Sequence, residues 1–212
     1  MSEPVGIFIP AMRAARLGAL VANIHEATPQ PHHIYVMSNR VSCLRAVRGL
    51  DGVTAWRDRL RPWGHRLNAL YRRTSERYFF CGADDVRFWS GWLSQAMRVM
   101  ESVDGVVVPS DRLNQAGTLA LVSRHYIDTE SGCVDRPRTV IYPGYRHNFS
   151  ESELFWTARK RHRFAYATES VVEHLHHLNA KRPFDEVDAL GYEHWAEDEA
   201  LFNSRRHLWD SL

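Results

Sequence analysis

The sequence predicts an α/β fold in which a mostly parallel sheet lies between layers of helices. Apolar runs of strand length alternate with apolar residues at helical spacing, and polar side chains follow where several of these runs end. With 212 residues, 44% of them hydrophobic, the chain can bury one sizeable core. No stretch rich in proline, glycine or serine divides it, so we expect a single domain over residues 1–212 with a helical C-terminal segment.

The first half of the chain shows the alternation most clearly. Residues 5–9 form an apolar run that ends at Pro10, and apolar residues at helical spacing follow it. Gly64 precedes a second helical pattern, and a third, strongly amphipathic one begins at Trp89. The further strands that we predict in this half are residues 33–37, 53–56, 78–81 and 105–109.

In the second half the alternation is weaker. We predict a strand at residues 118–123, a helix at 150–161 and two short strands within 163–176. From Asp188 onward the pattern is helical, which accounts for the expected C-terminal segment.

Composition argues against several classes of protein. The net charge is only +2, so no global field demands a nucleic acid. No apolar run is long enough to cross a bilayer, and the first residues lack the pattern of a signal peptide, so we expect a cytoplasmic protein with no membrane partner. The 3 cysteines are widely spaced and form no CxxC, which argues against a disulfide framework and a thiolate zinc site.

Arginines are nonetheless concentrated between Arg57 and Arg77, where acidic residues are few. Such a stretch can contact phosphate groups, and a non-catalytic nucleic-acid-binding module that uses it is our alternative to an enzyme. A solvated arginine face is the plainer interpretation of the same residues.

The strongest functional signal is a pair of carboxylates directly after a predicted strand. The apolar run 78–81 is followed by Gly82, where the backbone can turn, and then by Asp84 and Asp85. Ligand crevices of open α/β sheets lie at the carboxyl edge, and carboxylate oxygens suit a Mg²⁺ or Mn²⁺ ion that also holds a diphosphate. In the competing interpretation, the two acids only open the loop before the next helix.

Several segments share a family resemblance. VGIFIPAMR begins at Val5, GHRLN begins at Gly64, and the strand described above ends in Asp84-Asp85. Together these segments resemble the nucleotide-sugar half of a GT-A glycosyltransferase of the family 2 type. The resemblance implies a metal-dependent transfer of sugar, with residues 1–110 binding the nucleotide-sugar donor.

The second half extends the resemblance. YRHNFSESEL begins at Tyr145 and SVVEHLH begins at Ser170, and both resemble the glycosyltransferases of actinobacterial phages. The resemblance implies that residues 111–212 serve the acceptor and part of the metal site, with Mn²⁺ or Mg²⁺ as the ion. It also implies an acceptor hydroxyl on a virion protein or on a hydroxymethylated DNA base. The near-neutral charge favours the protein.

The resemblance also assigns the metal ligands. In the resembled fold the last acid after this strand binds the metal, which implies Asp85 as the ligand and Asp84 as a contact to ribose or sugar. His174 and His176 are separated by two positions on a predicted strand, so both face one side, about 6.5 Å apart. Because the resembled fold often has a late histidine ligand, we expect His176 first and His174 next; a structural role is the alternative.

An acceptor hydroxyl needs a base, normally a carboxylate in an inverting enzyme. Glu151 occupies that position in the resembled family, which favours inversion of configuration. It also lies in the first turn of a predicted helix, where acids are favoured for other reasons, and Ser150 with Glu153 fits a capping box. We therefore expect Glu153 to cap the helix and Glu151 to act as the base.

The nucleotide is expected at the carboxyl end of the first strand, near Pro10, Ala11 and Arg13, with the arginine offsetting phosphate charge. Arg66 and Asn68 are expected to face the nucleotide as well, or merely to begin a helix. A sugar-1-phosphate nucleotidyltransferase would place a glycine-rich loop with a lysine after the first strand, and the sequence has none there.

Overall fold

A mixed, mostly parallel sheet of eight strands carries the fold in the computed structural model, which describes residues 3–59, 62–112 and 117–212. The strands lie in the order β3-β2-β1-β4-β7-β6-β8-β5 across this sheet. They are β1 (Val5–Pro10), β2 (His32–Ser38), β3 (Val53–Arg57), β4 (Tyr78–Cys81), β5 (Val86–Phe88), β6 (Val106–Ser110), β7 (Ala120–Ser123) and β8 (Phe164–His174).

Helices flank both faces of the sheet, as the sequence predicts. A short 3₁₀ turn, His177–Asn179, follows β8. The helices are α1 (Ala14–Ala27), α2 (Val41–Ala46), α3 (Trp63–Arg73), α4 (Trp92–Val103), α5 (Arg124–Thr129), α6 (Ser150–Lys160), α7 (Glu186–Glu193) and α8 (Trp195–Asp210).

The parallel part of the sheet brings several strand ends to one edge. β1 pairs in parallel with β2 and β4, and β2 pairs in parallel with β3. β7 is antiparallel to both β4 and β6, and β8 returns parallel to β6. The predicted α/β class is therefore confirmed, and the carboxyl ends of β1 and β4 meet where a ligand crevice is expected.

Two apolar layers hold the helices against the sheet. Alternate residues of β1 point to opposite faces, so Ile7 packs with Leu17 of α1 while Phe8 packs in a separate cluster with Leu67 of α3. Trp92 of α4 belongs to the first layer and is fully buried. The three cysteines are also buried and unpaired, as predicted for core thiols.

The prediction of two short strands within residues 163–176 is wrong, because the structure has the single strand β8. Its pairing with β6 shifts between Pro109, which faces Ala167, and Ser110, which faces Val171. The extra residues form an irregularity of the kind that bends and re-aims a strand. Beyond it β8 pairs with β5, a three-residue strand that the sequence patterns did not reveal.

The third predicted helix also begins later than expected. Trp89 follows β5 and donates its backbone N–H to the Val171 carbonyl, so α4 begins only at Trp92. Gly91, in the left-handed conformation at φ 81°, precedes the helix, which glycine adopts without a steric penalty.

The predicted capping box at the start of α6 is wrong. Phe149 precedes the helix in a left-handed conformation, and no side chain caps the helix there. The Glu153 carboxylate is instead fully buried and accepts hydrogen bonds from the Tyr145 hydroxyl, at 2.8 Å, and from Arg205 of α8, at 2.7 and 2.8 Å. Arg205 also pairs with Asp135 at 2.7 Å, so this buried network ties α6 to α8.

Among the helices of the described residues, none has the length and apolar character needed to cross a membrane.

The α6–α8 network yields a test of stability. Arg205→Ala would leave the Glu153 charge buried and without its main partner, so we expect the free energy of unfolding to fall by about 3 kcal/mol. Denaturant unfolding measures the change. The adjacent Arg206→Ala is the matched control, because Arg206 is exposed and pairs with Asp210 of its own helix, so this variant should lose less than about 1 kcal/mol of stability. Equal losses in the two variants would contradict the assigned role of Arg205.

Candidate active site

A cavity of about 600 Å³ opens at the carboxyl edge of the sheet. Side chains from the ends of β1, β4 and β8 form one wall, and the segment before α6 together with α7 and the start of α8 forms the other. Of the residues that the sequence assigns to a site, the cavity is lined by Pro10, Arg13, Arg66, Asp84, Asp85, Glu151, His174 and His176.

Asp84 fixes the loop between β1 and α1. One carboxylate oxygen accepts the backbone N–H groups of Met12, at 2.5 Å, and Arg13, at 2.7 Å, and the other accepts the Arg13 guanidinium at 2.8 Å. The side chain is only 4% exposed. Both oxygens of the Asp84 carboxylate therefore already accept hydrogen bonds, and the main effect of Asp84 is to position Arg13 beside the cavity.

Asp85 presents one oxygen to a histidine and the other to an arginine. Its Oδ1 lies 3.5 Å from Nε2 of His174, and its Oδ2 lies 3.1 Å from the Arg182 guanidinium. Burial alone would raise the pKa of this carboxyl, but His174, Arg13 and Arg182 more than offset burial and hold the pKa below its usual range. Asp85 is therefore ionised under all ordinary conditions.

The β5–β8 pairing creates this contact. Val86, the residue after Asp85, pairs with His174, and the Leu175 N–H donates to the Asp85 carbonyl at 2.8 Å. The Nδ1 atom of His174 lies 3.2 Å from the Thr118 hydroxyl, so the ring presents Nε2 to the carboxylate.

Asp85 and His174 fit a divalent cation of the Mn²⁺ type. Adjacent ligands of an octahedral ion at 2.0–2.1 Å lie about 3 Å apart. The 3.5 Å between the Asp85 oxygen and the His174 nitrogen is close to that separation, and both atoms face the cavity. One carboxylate oxygen and one imidazole nitrogen form a ligand set that suits Mn²⁺ better than Mg²⁺, because Mg²⁺ prefers oxygen ligands.

His176 stands further from this pair. It lies beyond the end of β8, and its Nδ1 accepts the backbone N–H of Leu178 at 3.3 Å. Burial, with His174 and His177 nearby, lowers the pKa of His176 to about 4, so the ring is neutral at pH 7. The geometry places His174 beside Asp85, whereas the resemblance implied His176 first; which histidine binds the metal stays a prediction.

A second group of potential ligands is already neutralised. Ligand atoms of His176, His177 and Asp188 lie within 4.8 Å of one another. The Asp188 carboxylate, however, accepts hydrogen bonds from Arg182 through both oxygens and from Arg13 at 3.1 Å. Guanidinium groups thus occupy both oxygens of Asp188, whereas in Asp85 they face only Oδ2, 3.1 Å from Arg182 and 3.4 Å from Arg13, and leave Oδ1 beside His174.

Arg182, Asp185 and Asp188 are site residues that the sequence analysis missed. Asp185 caps α7 by accepting the N–H groups of Val187 and Asp188, and it also accepts Nε of Arg13 at 2.7 Å. The Asp-x-x-Asp spacing ahead of an amphipathic helix is a capping-box pattern that was readable in the sequence. The pairing of Asp185 with Arg13 could not be predicted from the sequence, because Arg13 lies 172 positions earlier in the chain.

Glu151 lines the cavity at the start of α6. Its carboxylate accepts the hydroxyl of Ser150 at 3.1 Å, and burial raises the pKa of the Glu151 side chain above its ordinary value. A raised pKa makes the carboxylate a stronger acceptor of protons, which is the property a general base requires.

Asp198 of α8 supports the segment that carries Glu151. Its buried carboxylate accepts three consecutive backbone N–H groups, those of Arg146, His147 and Asn148, at 2.7, 2.8 and 2.7 Å. The Asn148 amide then donates to the carbonyl of Gly191 at 2.7 Å. The C-terminal helices therefore determine where Glu151 stands.

Two predicted nucleotide contacts are corrected by the structure. Ala11 is fully buried, and its backbone groups bond to Met37 and to the Ser38 hydroxyl. Asn68 is buried in α3, where its amide binds the backbone of Val140 and Ile141 instead of facing the cavity. Both belong to the framework behind the site.

Arg66 does reach the cavity from α3, and its guanidinium donates to the Asn39 side chain at 2.8 Å. The other described arginines of the basic stretch are exposed. Arg77 stacks over Tyr78 at the start of β4, the end of that strand opposite the cavity. Arg61 lies outside the described residues. The stretch is thus spread over several places: Arg66 lies in the cavity, Arg57 ends β3 at the carboxyl edge of the sheet, and Arg77 lies at the opposite edge.

No protein-family model matches the chain, and no curated protein matches it. Solved structures do. The chain is similar to a mannosyltransferase of Pyrobaculum calidifontis, solved with GDP-Man and Mn²⁺, with a TM-score of 0.67 and 14% identity over 82% of this chain. It spans 57% of that mannosyltransferase.

Two further structures have the same fold. Glucosyl-3-phosphoglycerate synthase of Mycobacterium tuberculosis, solved with Mn²⁺, uridine diphosphate and glucosyl-3-phosphoglycerate, gives a TM-score of 0.64 at 12% identity, covering 90% of this chain and 77% of that one. GalNAc-T7, solved with UDP, GalNAc and Mn²⁺, gives a TM-score of 0.58 at 10% identity. The match covers 81% of this chain and 44% of GalNAc-T7. These similarities establish the GT-A fold.

The framework role of Asp84 can be tested directly. Asp84→Ala would leave two backbone N–H groups and a buried guanidinium without their acceptor, so we expect the free energy of unfolding to fall by about 1–3 kcal/mol. Asp51→Ala, in an exposed turn, is the matched control and should change stability little. If the Asp84 variant is as stable as the control, the structural role assigned to Asp84 is wrong.

Proposed function

We propose that this protein is a metal-dependent glycosyltransferase that moves a sugar from a nucleotide-sugar donor to a hydroxyl acceptor. One observation carries the proposal: Asp85, His174 and Glu151 line the same cavity at the carboxyl edge of a GT-A sheet. Two potential ligands of one metal ion and a carboxylate with a raised pKa, all lining one crevice, are the groups that such a transfer needs. The structural neighbours solved with Mn²⁺ and nucleotides lend further support.

Residues 1–110 are proposed to bind the nucleotide-sugar donor and residues 111–212 to serve the acceptor. Arg13 lines the cavity beside Asp85, so its positive charge can attract the phosphate oxygens of the donor while its N–H groups donate to Asp84, Asp185 and Asp188. Arg66 lines the same cavity next to the end of β1, where the nucleoside is expected. Asp84 contributes by holding Arg13 in place.

Asp85 and His174 are proposed to hold Mn²⁺ or Mg²⁺, with His176 as an accessory residue. When bound, the cation supplies Lewis-acid stabilisation of the negative charge that develops on the departing diphosphate. Asp85 remains ionised and His176 remains neutral at pH 7, and both states suit a cation.

Glu151 is proposed to act as the general base. As the acceptor oxygen forms its bond to the anomeric carbon, the hydroxyl proton passes to the Glu151 carboxylate and the bond from that carbon to the diphosphate oxygen breaks. A single displacement of this kind inverts the configuration at the anomeric carbon, which favours an inverting enzyme.

The phage resemblance names a virion protein or hydroxymethylated DNA, modified in the host cytoplasm, as the acceptor. Between these two acceptors, charge argues against the DNA. The segment 184–199, which forms the outer wall of the cavity, contains many acids and neither lysine nor arginine, so it repels a polyanion. Arg72 and Arg73 at the end of α3 and Arg77 before β4 lie away from the cavity, which weakens the alternative of a nucleic-acid-binding module at this site.

The metal assignment predicts a loss of ligand binding. Thermal unfolding of the wild type is measured with Mn²⁺ and each member of a panel of sugar nucleotides. A sugar nucleotide that binds, present at about a hundred times its own dissociation constant, should add ~2.7 kcal/mol to the free energy of unfolding. Asp85→Asn and His174→Ala should abolish this Mn²⁺-dependent gain, and His176→Ala should reduce it less. His207→Ala, an exposed histidine of α8, is the control. Full stabilisation of the Asp85 and His174 variants would exclude them as ligands.

The base assignment predicts a loss of turnover without a loss of binding. Glu151→Gln keeps the shape of the side chain, so the affinity for the nucleotide sugar should persist while transfer falls by roughly two to four orders of magnitude. In the wild type, activity should rise with pH through the raised pKa of Glu151, and the variant should lack that limb. Glu197→Gln, an exposed acid of α8, is the control. Normal turnover in Glu151→Gln would show that Glu151 is not the base and that it only contributes a favourable charge to the first turn of α6.

A further inference from the structure

Aromatic side chains form a row that leads outward from the cavity. Phe149 and Trp195 line the cavity with their ring centroids 5.2 Å apart. Tyr192 follows at 6.2 Å from Trp195, and Phe184 at 6.3 Å from Tyr192. The last three rings are nearly parallel, with interplanar angles of 23° and 22°. We call these four residues the aromatic row.

The outer part of the aromatic row is exposed yet held in place. Trp195, Tyr192 and Phe184 are 45%, 41% and 56% exposed. The Tyr192 hydroxyl bonds to Nε2 of His177 at 3.2 Å, and the Phe184 ring meets the His177 ring edge-on at 5.0 Å. Large exposed rings that are fixed by neighbours, at the mouth of a cavity, mark a binding surface.

The charges around the aromatic row limit what can bind there. Glu193 and Glu197 are exposed, Glu193 lines the cavity, and Glu186, 72% exposed, pairs with Arg40 at 2.6 Å. Because this segment has no lysine or arginine, it repels nucleic acids and anionic lipid surfaces. Apolar ring faces beside carboxylates instead suit a neutral molecule that has a C–H face and many hydroxyl donors. A pyranose has both.

We propose that the aromatic row is the acceptor subsite and that the acceptor is a neutral saccharide. Its C–H face stacks on Trp195 and Tyr192, its hydroxyls donate to Glu193, and one further hydroxyl reaches Glu151. This inference rests on the proposed function and makes the acceptor a sugar instead of a protein side chain or a DNA base. In the transfer, the saccharide oxygen bonds to the anomeric carbon, its proton goes to Glu151, and the nucleoside diphosphate leaves.

Direct binding is the first test, because it needs no nucleotide sugar. Methyl and p-nitrophenyl glycosides of glucose, galactose and mannose are presented to the protein, and saturation-transfer NMR detects contact. At least one glycoside should bind to the wild type, and the signal should fall strongly in Trp195→Ala and Tyr192→Ala. Trp156→Ala removes a similarly exposed tryptophan of α6, 41% exposed, and should bind like the wild type. Absence of binding by every glycoside, or equal binding by all variants, overturns the proposal.

Transfer kinetics form the second test. With Mn²⁺ and the sugar nucleotide that stabilises the wild type, Tyr192→Ala should raise the KM for the glycoside about tenfold, because stacking on aromatic rings contributes binding of that order. The KM for the sugar nucleotide should move far less, and Tyr192→Phe should restore most of the acceptor affinity. Comparable transfer to a serine or threonine peptide or to hydroxymethylated duplex DNA, with none to glycosides, overturns the proposal. So does binding to neutral phospholipid vesicles that Trp195→Ala abolishes.

The two hypotheses fail in different ways. If Mn²⁺-dependent binding of sugar nucleotides is present and no glycoside binds, the acceptor inference is wrong and the glycosyltransferase proposal stands. If glycosides bind through the aromatic row and no sugar nucleotide binds, the row is a saccharide site and the proposed transfer is wrong.

Discussion

The candidate site depends on one buried ion network centred on Arg13. Its guanidinium donates to Asp84 after β4 and to Asp185 before α7, and it lies 3.1 Å from Asp188. These acids come from distant parts of the chain, so a single side chain connects the edge of the sheet to the C-terminal helices. Buried charges are costly unless they are paired. Loss of one partner would therefore leave the other charges of the network buried without compensation.

Backbone pairing then places the reactive groups. The short β5 carries the chain directly from Asp85 into contact with β8, which brings His174 to the carboxylate although the two residues are far apart in sequence. On the opposite wall, Asp198 gathers three consecutive N–H groups ahead of α6 and so sets the position of Glu151. The proposed metal ligand and the proposed base are thus held in the cavity by independent sets of contacts.

The fold class, most strands and the Asp84-Asp85 edge were predictable because apolar periodicity and strand ends are local signals. β5 was not, since its three residues are too few to show a period and its partner lies almost ninety positions later. Asn68 looked like a site residue because it belongs to the GHRLN segment of the resemblance, yet its amide binds backbone 73 positions away. Asp84 and Asp85 are identical in type, and only their surroundings separate the acid that holds a loop from the acid that faces His174.

If the proposed cation binds at Asp85, the position of Arg182 makes occupancy of the cavity cooperative. Its guanidinium lies 3.1 Å from one oxygen of Asp85 and also pairs with Asp188, so a lone cation approaching Asp85 meets a positive charge that is already in place. An anion in the same cavity offsets that charge. Cation and anion therefore raise each other's affinity by the same factor, as reciprocal linkage requires. Neither should accumulate in the cavity alone, and the two should leave it together.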